Sequence, residues 1–439
     1  MSSSLRPFQI ILIGIFLALA VGGVILFMMY RGFGGTANPY GNSVEIWGTL
    51  DDRAFSEVIR AIGDTENDYK VVSYIQKDPR TFHAALADAI AEGRGPDAIV
   101  LSSDFLITER AKIYPISYKT LPLRDIKDAY VDGVEIFALK DGLYGLPFAV
   151  DPLLMYWNRS LFASAGLAAP PSTWESLVAQ AVPALVRVKQ SPIFAVDKAA
   201  LAFGEYANVQ NASEIMYMLI LQAGSNLITE NAIGYEANVN RSVGQTTRPP
   251  AQAALDFYTQ FANPARPVYT WNRSLTGDRN AFLAGDLAMY FGFGSEFPGL
   301  RAGNANLDFD AAPIPQGADG VLKRGYGTFY ALALLKSSDN LAGTYAAISR
   351  LNGVEEQKMI SEELALAPVS RQALAGGNAN PYLQTAYTLA LIARGFLNPE
   401  PSASEDIIKT MIEDVTSGRM SASESAQDAA DRFNLLLLR

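Results

Sequence analysis

Carboxylates and aromatic rings are the residues of this chain that could act on, or hold, a small molecule. Asp51, Asp104, Asp151, Glu214 and Glu296 fall at or near the ends of expected strands and helices. Trp47, Tyr217, Trp271, Phe297 and Tyr326 supply rings in the same segments. Two carboxyl groups about 5–9.5 Å apart could cleave a glycosidic bond. The chain has 45 acidic residues, so pairs of them are too common for their spacing to argue for that chemistry. The single histidine, His83, lies in Thr81-Phe82-His83-Ala84-Ala85-Leu86. A Ser-His-Asp triad or a His-based metal site would need it, with a second group to orient it. Its place on an expected amphipathic helix fits a half-buried or solvated residue better. Cysteine is absent, which removes disulfides, thiolate catalysis and Cys-ligated zinc. There is no P-loop, dinucleotide fingerprint or HExxH, and Gly292-Phe293-Gly294 lacks the third glycine of a phosphate loop. No catalytic residue, metal or cofactor is therefore expected.

At 439 residues the chain is too long for one compact core, so two lobes or two to three domains are expected. With 49% hydrophobic and 18% charged residues it is an ordered protein rather than a disordered one. The net charge of −10, with basic residues scattered, argues against a nucleic-acid partner. Phe8 to Tyr30 is a 23-residue run without a charge. As a helix rising about 1.5 Å per residue it would cross the roughly 30 Å hydrocarbon core. It exceeds the about 7–15 residues of a secretory h-region, so an uncleaved anchor is favoured. Residues 1–7 would then be cytoplasmic, 8–30 transmembrane and 31–43, with four glycines, a flexible tether. Arg6 and Arg31 flank the run almost symmetrically, so charge does not orient it.

Val44 to Leu50 reads as a strand, and Asp51 and Asp52 cap a helix running to about Ile62. Tyr69 to Ile75 alternates as a second strand. Asp78-Pro79 opens a helix ending near Glu92 and Gly93. Pro96 to Leu101 is a third, buried strand. This βαβαβ order implies an open parallel sheet, which binds ligands beyond its strands' carboxyl ends. Trp47 lies on the first strand, as a stacking platform or as core. Asp51 follows it, as a ligand contact or only a cap. Further on, Ser172-Thr173-Trp174-Glu175 and Ser421-Ala422-Ser423-Glu424 read as capping boxes. Ser213 to Ala223 reads as a helix on which Glu214 and Tyr217, three apart, share a face. Gly325 to Leu334 reads as a strand. Trp271 lines a cleft or packs a surface loop.

The stretch Gly142-Leu143-Tyr144-Gly145-Leu146-Pro147-Phe148, with Met155-Tyr156-Trp157-Asn158, Leu161-Phe162 and Pro171-Ser172-Thr173-Trp174-Glu175, resembles the interdomain crossing of extracellular solute-binding proteins of ABC importers, in the maltodextrin-binding branch. Phe282-Leu283-Ala284-Gly285-Asp286-Leu287-Ala288-Met289 resembles a second motif of that family. The resemblance covers about residues 44–438. It implies an α/β, two-lobed, type II binding-protein fold with no covalent chemistry. Lobe 1 would hold 44–149 and 327–367, and lobe 2 would hold 150–326 and 368–439. Hinge bending would close the lobes on a solute.

By the same resemblance Asp104 falls where the family places a polar ligand contact, and Asp151 on a ligand-binding carboxylate. Glu296 and Phe297 fall near an aromatic platform whose own position holds Ser295, which weakens the case for an oligosaccharide. Tyr326 falls at an often aromatic site. The implied partners are a small polar solute, a carbohydrate first, and the permease subunits of an importer, with a monomeric receptor outside the membrane. A sensor or scaffold on the same fold, or a glycan-acting enzyme, are the alternatives.

Overall fold

Three short strands with buried apolar faces come first among the described residues. β1 (Val44–Gly48) pairs in parallel with both β2 (Val72–Gln76) and β3 (Ala98–Ser102), with α1 (Asp52–Thr65) and α2 (Phe82–Ala91) as the connections. α1 buries Phe55, Val58, Ile59 and Ile62, and Phe55 stacks on Tyr74 of β2 at 4.1 Å between ring centroids. The computed structural model describes residues 38–189, 195–232, 234–241, 248–320 and 322–438. The apolar run at 8–30 and most of the 31–43 tether lie outside the described residues. Among those described, no helix is long and apolar enough to cross a membrane.

β4 (Leu146–Asn158) joins the two halves of the molecule. Twelve of its 13 residues are buried and Trp157 is partly so, as expected of a strand flanked on both edges. Three further strands follow it: β5 (Ala195–Leu201), β6 (Leu287–Phe293) and β7 (Phe309–Ala312). Two more, β8 (Gly325–Leu334) and β9 (Ala367–Pro368), follow. From Leu146 to Pro152 β4 pairs antiparallel with β8, while β9 lies on its other edge at Ala149 and Val150. From Leu153 onward its neighbours are β6 and β7. The change falls between the pairs Gly327↔Pro152 and Phe293↔Leu153. Pro152 has no N–H to donate, which suits it to the point where a ladder is exchanged. β8 also pairs antiparallel with β3, and β6 in parallel with β5. The result, among the described residues, is one 11-stranded sheet whose two parts share only β4. The β8 backbone comes so close to β4 that a Cβ on Gly327 would sit 2.9 Å from Val150 Cγ2 and 3.0 Å from the Asp151 carbonyl oxygen.

The second half is covered by α3 (Ala212–Gln222), α4 (Pro250–Thr259), α5 (Pro401–Thr416) and α6 (Ala422–Leu437), which pack on one another. The Ser421–Glu424 capping box forms as expected. Ser421 Oγ accepts from Glu424 N at 3.3 Å, and the Glu424 carboxylate accepts from Ser421 N at 3.0 Å.

Three local expectations are corrected. Asp78 does not cap a helix: its Oδ1 accepts from Arg80 N in a tight turn, and α2 starts at Phe82. In the 172–175 box the cap is Thr173, which accepts from Ser176 N, because Glu175 reaches across to Ala318 N instead. Tyr69 lies in a 3-10 turn before β2, where its hydroxyl donates to the Ala347 carbonyl.

Candidate functional site

Asp104 stands just past the carboxyl end of β3. The turn that carries it is fixed from below: Ser103 Oγ, fully buried, accepts from Phe329 N at 3.1 Å, and Ser102 Oγ accepts from Asp104 N at 3.2 Å. The period of two along β8 puts Tyr326, Thr328 and Tyr330 on one face. Two of them meet Asp104: Thr328 Oγ1 donates at 3.2 Å and Tyr326 OH at 3.4 Å, with Ser102 Oγ at 3.3 Å. Even with three donors, loss of water around Asp104 raises its pKa.

Across from this floor α3 presents Glu214 and Tyr217. The Tyr217 ring lies 5.7 Å from Tyr326 and 4.4 Å from Phe396. Tyr217 is 3% exposed, yet among the described residues its hydroxyl has no hydrogen-bond partner. Such a group costs free energy unless something pairs with it. Glu214 is partly exposed, and among the described residues its carboxyl meets its own backbone N–H. Burial first, then Asp104, Glu405 and Glu296, push it up to about 7. Glu405, at the start of α5, is exposed at the rim. Partial burial, Asp406 and Asp104 raise its pKa in turn. The two halves of the sheet thus meet over a patch of carboxylates and aromatic rings.

Of the residues expected from sequence, the fold brings together Asp104, Tyr217 and Tyr326. Asp151 is nearby but turned inward. It is 5% exposed, its Oδ1 accepts from Ser295 N at 3.1 Å, and burial pushes it up to about 7. It ties β4, one residue before the exchange of partners, to the turn that follows β6. Glu296 is committed to that same turn. It accepts from Asn211 Nδ2 and Phe293 N, both at 2.9 Å, and from Tyr290 OH at 2.5 Å, with Arg279 at 3.7 Å. Phe297 stacks on Tyr382 at 3.9 Å, beside Phe309 of β7. Trp271 is 1% exposed and donates its indole N–H to Asn208 Oδ1 at 3.1 Å, so it packs as core. Trp47 is buried, donates to Glu45, and carries the Lys77 ammonium 3.6 Å over its ring. Asp51 caps α1 by accepting from Arg53 N at 2.9 Å.

His83 also has a structural setting. It stacks on Phe105 at 3.8 Å, and its Nδ1 lies 3.0 Å from Glu109 Oε1. Burial acts to raise the Glu109 carboxyl, but hydrogen bonds from His83 and Lys112 outweigh it and hold the group low. Among the described residues no group of three or more His, Cys, Asp or Glu side chains is arranged to hold a metal ion.

Sequence reasoning did not find Thr328, Tyr330, Phe396 or Glu405. The first two were available from the alternation Tyr326-x-Thr328-x-Tyr330 in a strand whose bounds are plain. Phe396 and Glu405 follow the last crossing and carry no local signal.

The model of the family described as bacterial extracellular solute-binding protein matches residues 48–358. A curated chain of Brucella abortus (strain 2308), assigned as a binding protein, is 22% identical over 298 residues, 67% of this chain and 68% of its own length. Among solved structures, a cyclic alpha-maltosyl-1,6-maltose binding protein from Arthrobacter globiformis aligns with a TM-score of 0.72 at 18% identity, covering 90% of this chain and 98% of that one. The sugar-binding protein MalE of Xanthomonas citri aligns at 0.70 and 18% identity, covering 90% and 97%. A cyclo/maltodextrin-binding protein complexed with maltotetraose aligns at 0.71 and 17% identity, covering 89% and 96%. At these identities the structural likeness establishes the two-lobed α/β fold.

Proposed function

The chain belongs to the bacterial extracellular solute-binding protein family, and from that premise we propose that it is an extracytoplasmic receptor for a small polar solute, a carbohydrate first, which it delivers to an ABC import permease. The observation that carries this reading is the exchange of partners along β4. One strand serves two half-sheets, and the groups facing each other across the junction are Asp104 and Tyr326 on one side and Glu214 and Tyr217 on the other. A rotation of one half about the strand near Pro152 opens and closes this patch with little loss of packing. The solute stabilises the closed form by its differential affinity for it. The sugar-binding structural relatives support carbohydrate as the first class to test.

A thermal-shift screen against sugars, oligosaccharides, polyols and amino acids tests the reading. A solute at about 100 times its Kd stabilises the fold by roughly 2.7 kcal/mol. Tyr217→Phe should weaken the binding of whichever solute emerges while leaving the melting temperature of the free protein equal or higher, since it removes an unpaired buried hydroxyl. A Tyr217→Phe protein that binds as tightly as the parent would remove this patch as the site.

The 8–30 run would hold the receptor at the membrane and raise its effective concentration at the permease. The full-length chain should then stay with the membrane pellet through an alkaline carbonate wash. Release into the supernatant would rule out the anchor.

A further inference from the structure

The chemistry of the patch is one-sided. Carboxyl groups of three separate elements border it: Asp104 after β3 meets the Tyr326 hydroxyl, Tyr326 lies against Tyr217, Glu214 stands one turn before Tyr217 on α3, and α5, which packs on α3, carries Glu405. The charged groups acting most strongly on Glu214 are Asp104, Glu405 and Glu296, all anionic. Among the described residues, the basic side chains around it are engaged elsewhere: Arg279 faces Glu296 at 3.7 Å, Arg324 donates to the Ser225 carbonyl and Asn226 Oδ1, and Arg394 donates to Asp132 and the Ala393 carbonyl. The donors at hand are already engaged, because Thr328 and Tyr326 both give their hydroxyl hydrogens to Asp104. Asn211, whose amide might otherwise meet a sugar hydroxyl, is spent on Glu296, Tyr290 and the Phe291 carbonyl. Among the described residues the surroundings are therefore rich in acceptors, and the basic side chains near them are already paired.

A second observation is independent of the carboxylates. The Tyr217 hydroxyl is buried without a partner beside them, and its ring forms an aromatic wall with Tyr326 and Phe396. Aromatic faces next to carboxylates are the setting in which an ammonium group is bound, by ring quadrupoles and charge-assisted hydrogen bonds together. Among the described residues the carboxylates form no group of three or more arranged to hold a metal ion, and the adjoining aromatic faces suit an organic cation.

We propose that the solute carries a protonated amine, as an amino-substituted carbohydrate does, and that Glu214, Asp104 and the Tyr217 hydroxyl receive it. This rests on the receptor reading above and narrows its solute class.

The test uses pairs that differ only by an ammonium group in place of a hydroxyl: glucosamine and glucose, galactosamine and galactose, mannosamine and mannose, and the deacetylated chitosan trisaccharide and cellotriose. Maltotriose is added as a neutral reference. Binding to the full-length chain in mild non-ionic detergent is followed by calorimetry and thermal shift. The amine of at least one pair should bind about tenfold or more tighter than its neutral partner, the scale of a charge-assisted hydrogen bond. Glu214→Gln should abolish that preference while leaving the free protein's melting temperature unchanged or higher, since it removes a repelled carboxylate. A merely structural Glu214 would lower the melting temperature and leave the preference intact. Neutral sugars that bind as well as their amines, or better, would overturn the proposal and leave the receptor reading standing. No binding by any member would overturn the proposal and, with it, carbohydrate as the solute class.

Discussion

Glu296→Ala should destabilise the protein by about 3–5 kcal/mol, the cost of breaking a partly buried charge out of its network. Its carboxylate, 13% exposed, serves Asn211, Tyr290 and the Phe293 backbone N–H, with Arg279 as counter-charge. Alanine would leave the Tyr290 hydroxyl and the Phe293 N–H without this acceptor at once, each at a cost of about 1–3 kcal/mol when buried, while Asn211 keeps the Phe291 carbonyl. The turn that Glu296 holds also presents the Ser295 N–H to Asp151, so the junction near β4 should loosen with it. Glu296→Gln keeps one acceptor oxygen and should lose less. Urea unfolding of the three proteins measures this directly. A Glu296→Ala protein of parental stability that no longer binds solute would instead make Glu296 a ligand contact.

Glu296 also illustrates what the sequence could convey. Strand and helix bounds follow from local signals, and these were legible: β8 spans Gly325–Leu334 as read, and the Ser421 box caps α6. The βαβαβ start, the crossing and the receptor family followed from order and motif. Side-chain roles depend on partners distant in the chain. Trp271 meets Asn208, Glu296 meets Asn211, and Phe297 meets Tyr382. Nothing near each residue announces such a partner, so an aromatic committed to core and one free to face a solute look alike. The same limit explains Asp78. A capping aspartate and a turn aspartate share one local signature, and which occurs depends on where the helix finds its buried face. Asp104 and Tyr326 were singled out by the resemblance, Asp104 at the end of a strand and Tyr326 between two glycines, and the fold brings the two side chains together.

Asp151 gives the second large effect, a dependence of stability on pH. Its folded pKa is raised from 3.8 to about 7, chiefly by burial. A raised carboxyl pKa means that between these values the native state keeps a proton which the unfolded chain has released. Stability from this source is fully present below about pH 3.8 and is lost as pH rises through about 7. At about 1.36 kcal/mol per pKa unit the span for Asp151 is on the order of 4 kcal/mol. Glu214, raised from 4.5 to about 7, and Asp278, raised from 3.8 to about 6, act with the same sign. Glu214 is partly exposed, so its share is smaller. Glu109 and Glu66 are held low, so their stabilisation is lost only as pH falls below the ordinary carboxylate range. The free protein should therefore unfold at lower denaturant at pH 8 than at pH 5. Asp151→Asn keeps an oxygen for Ser295 N–H and cannot ionise, so it should flatten most of this slope and be the more stable protein at pH 8. Asp151→Ala, which strands that N–H, should be less stable than the asparagine variant at every pH. An asparagine variant with the parent's full slope would place the titration elsewhere and return Asp151 to the candidates for solute contact.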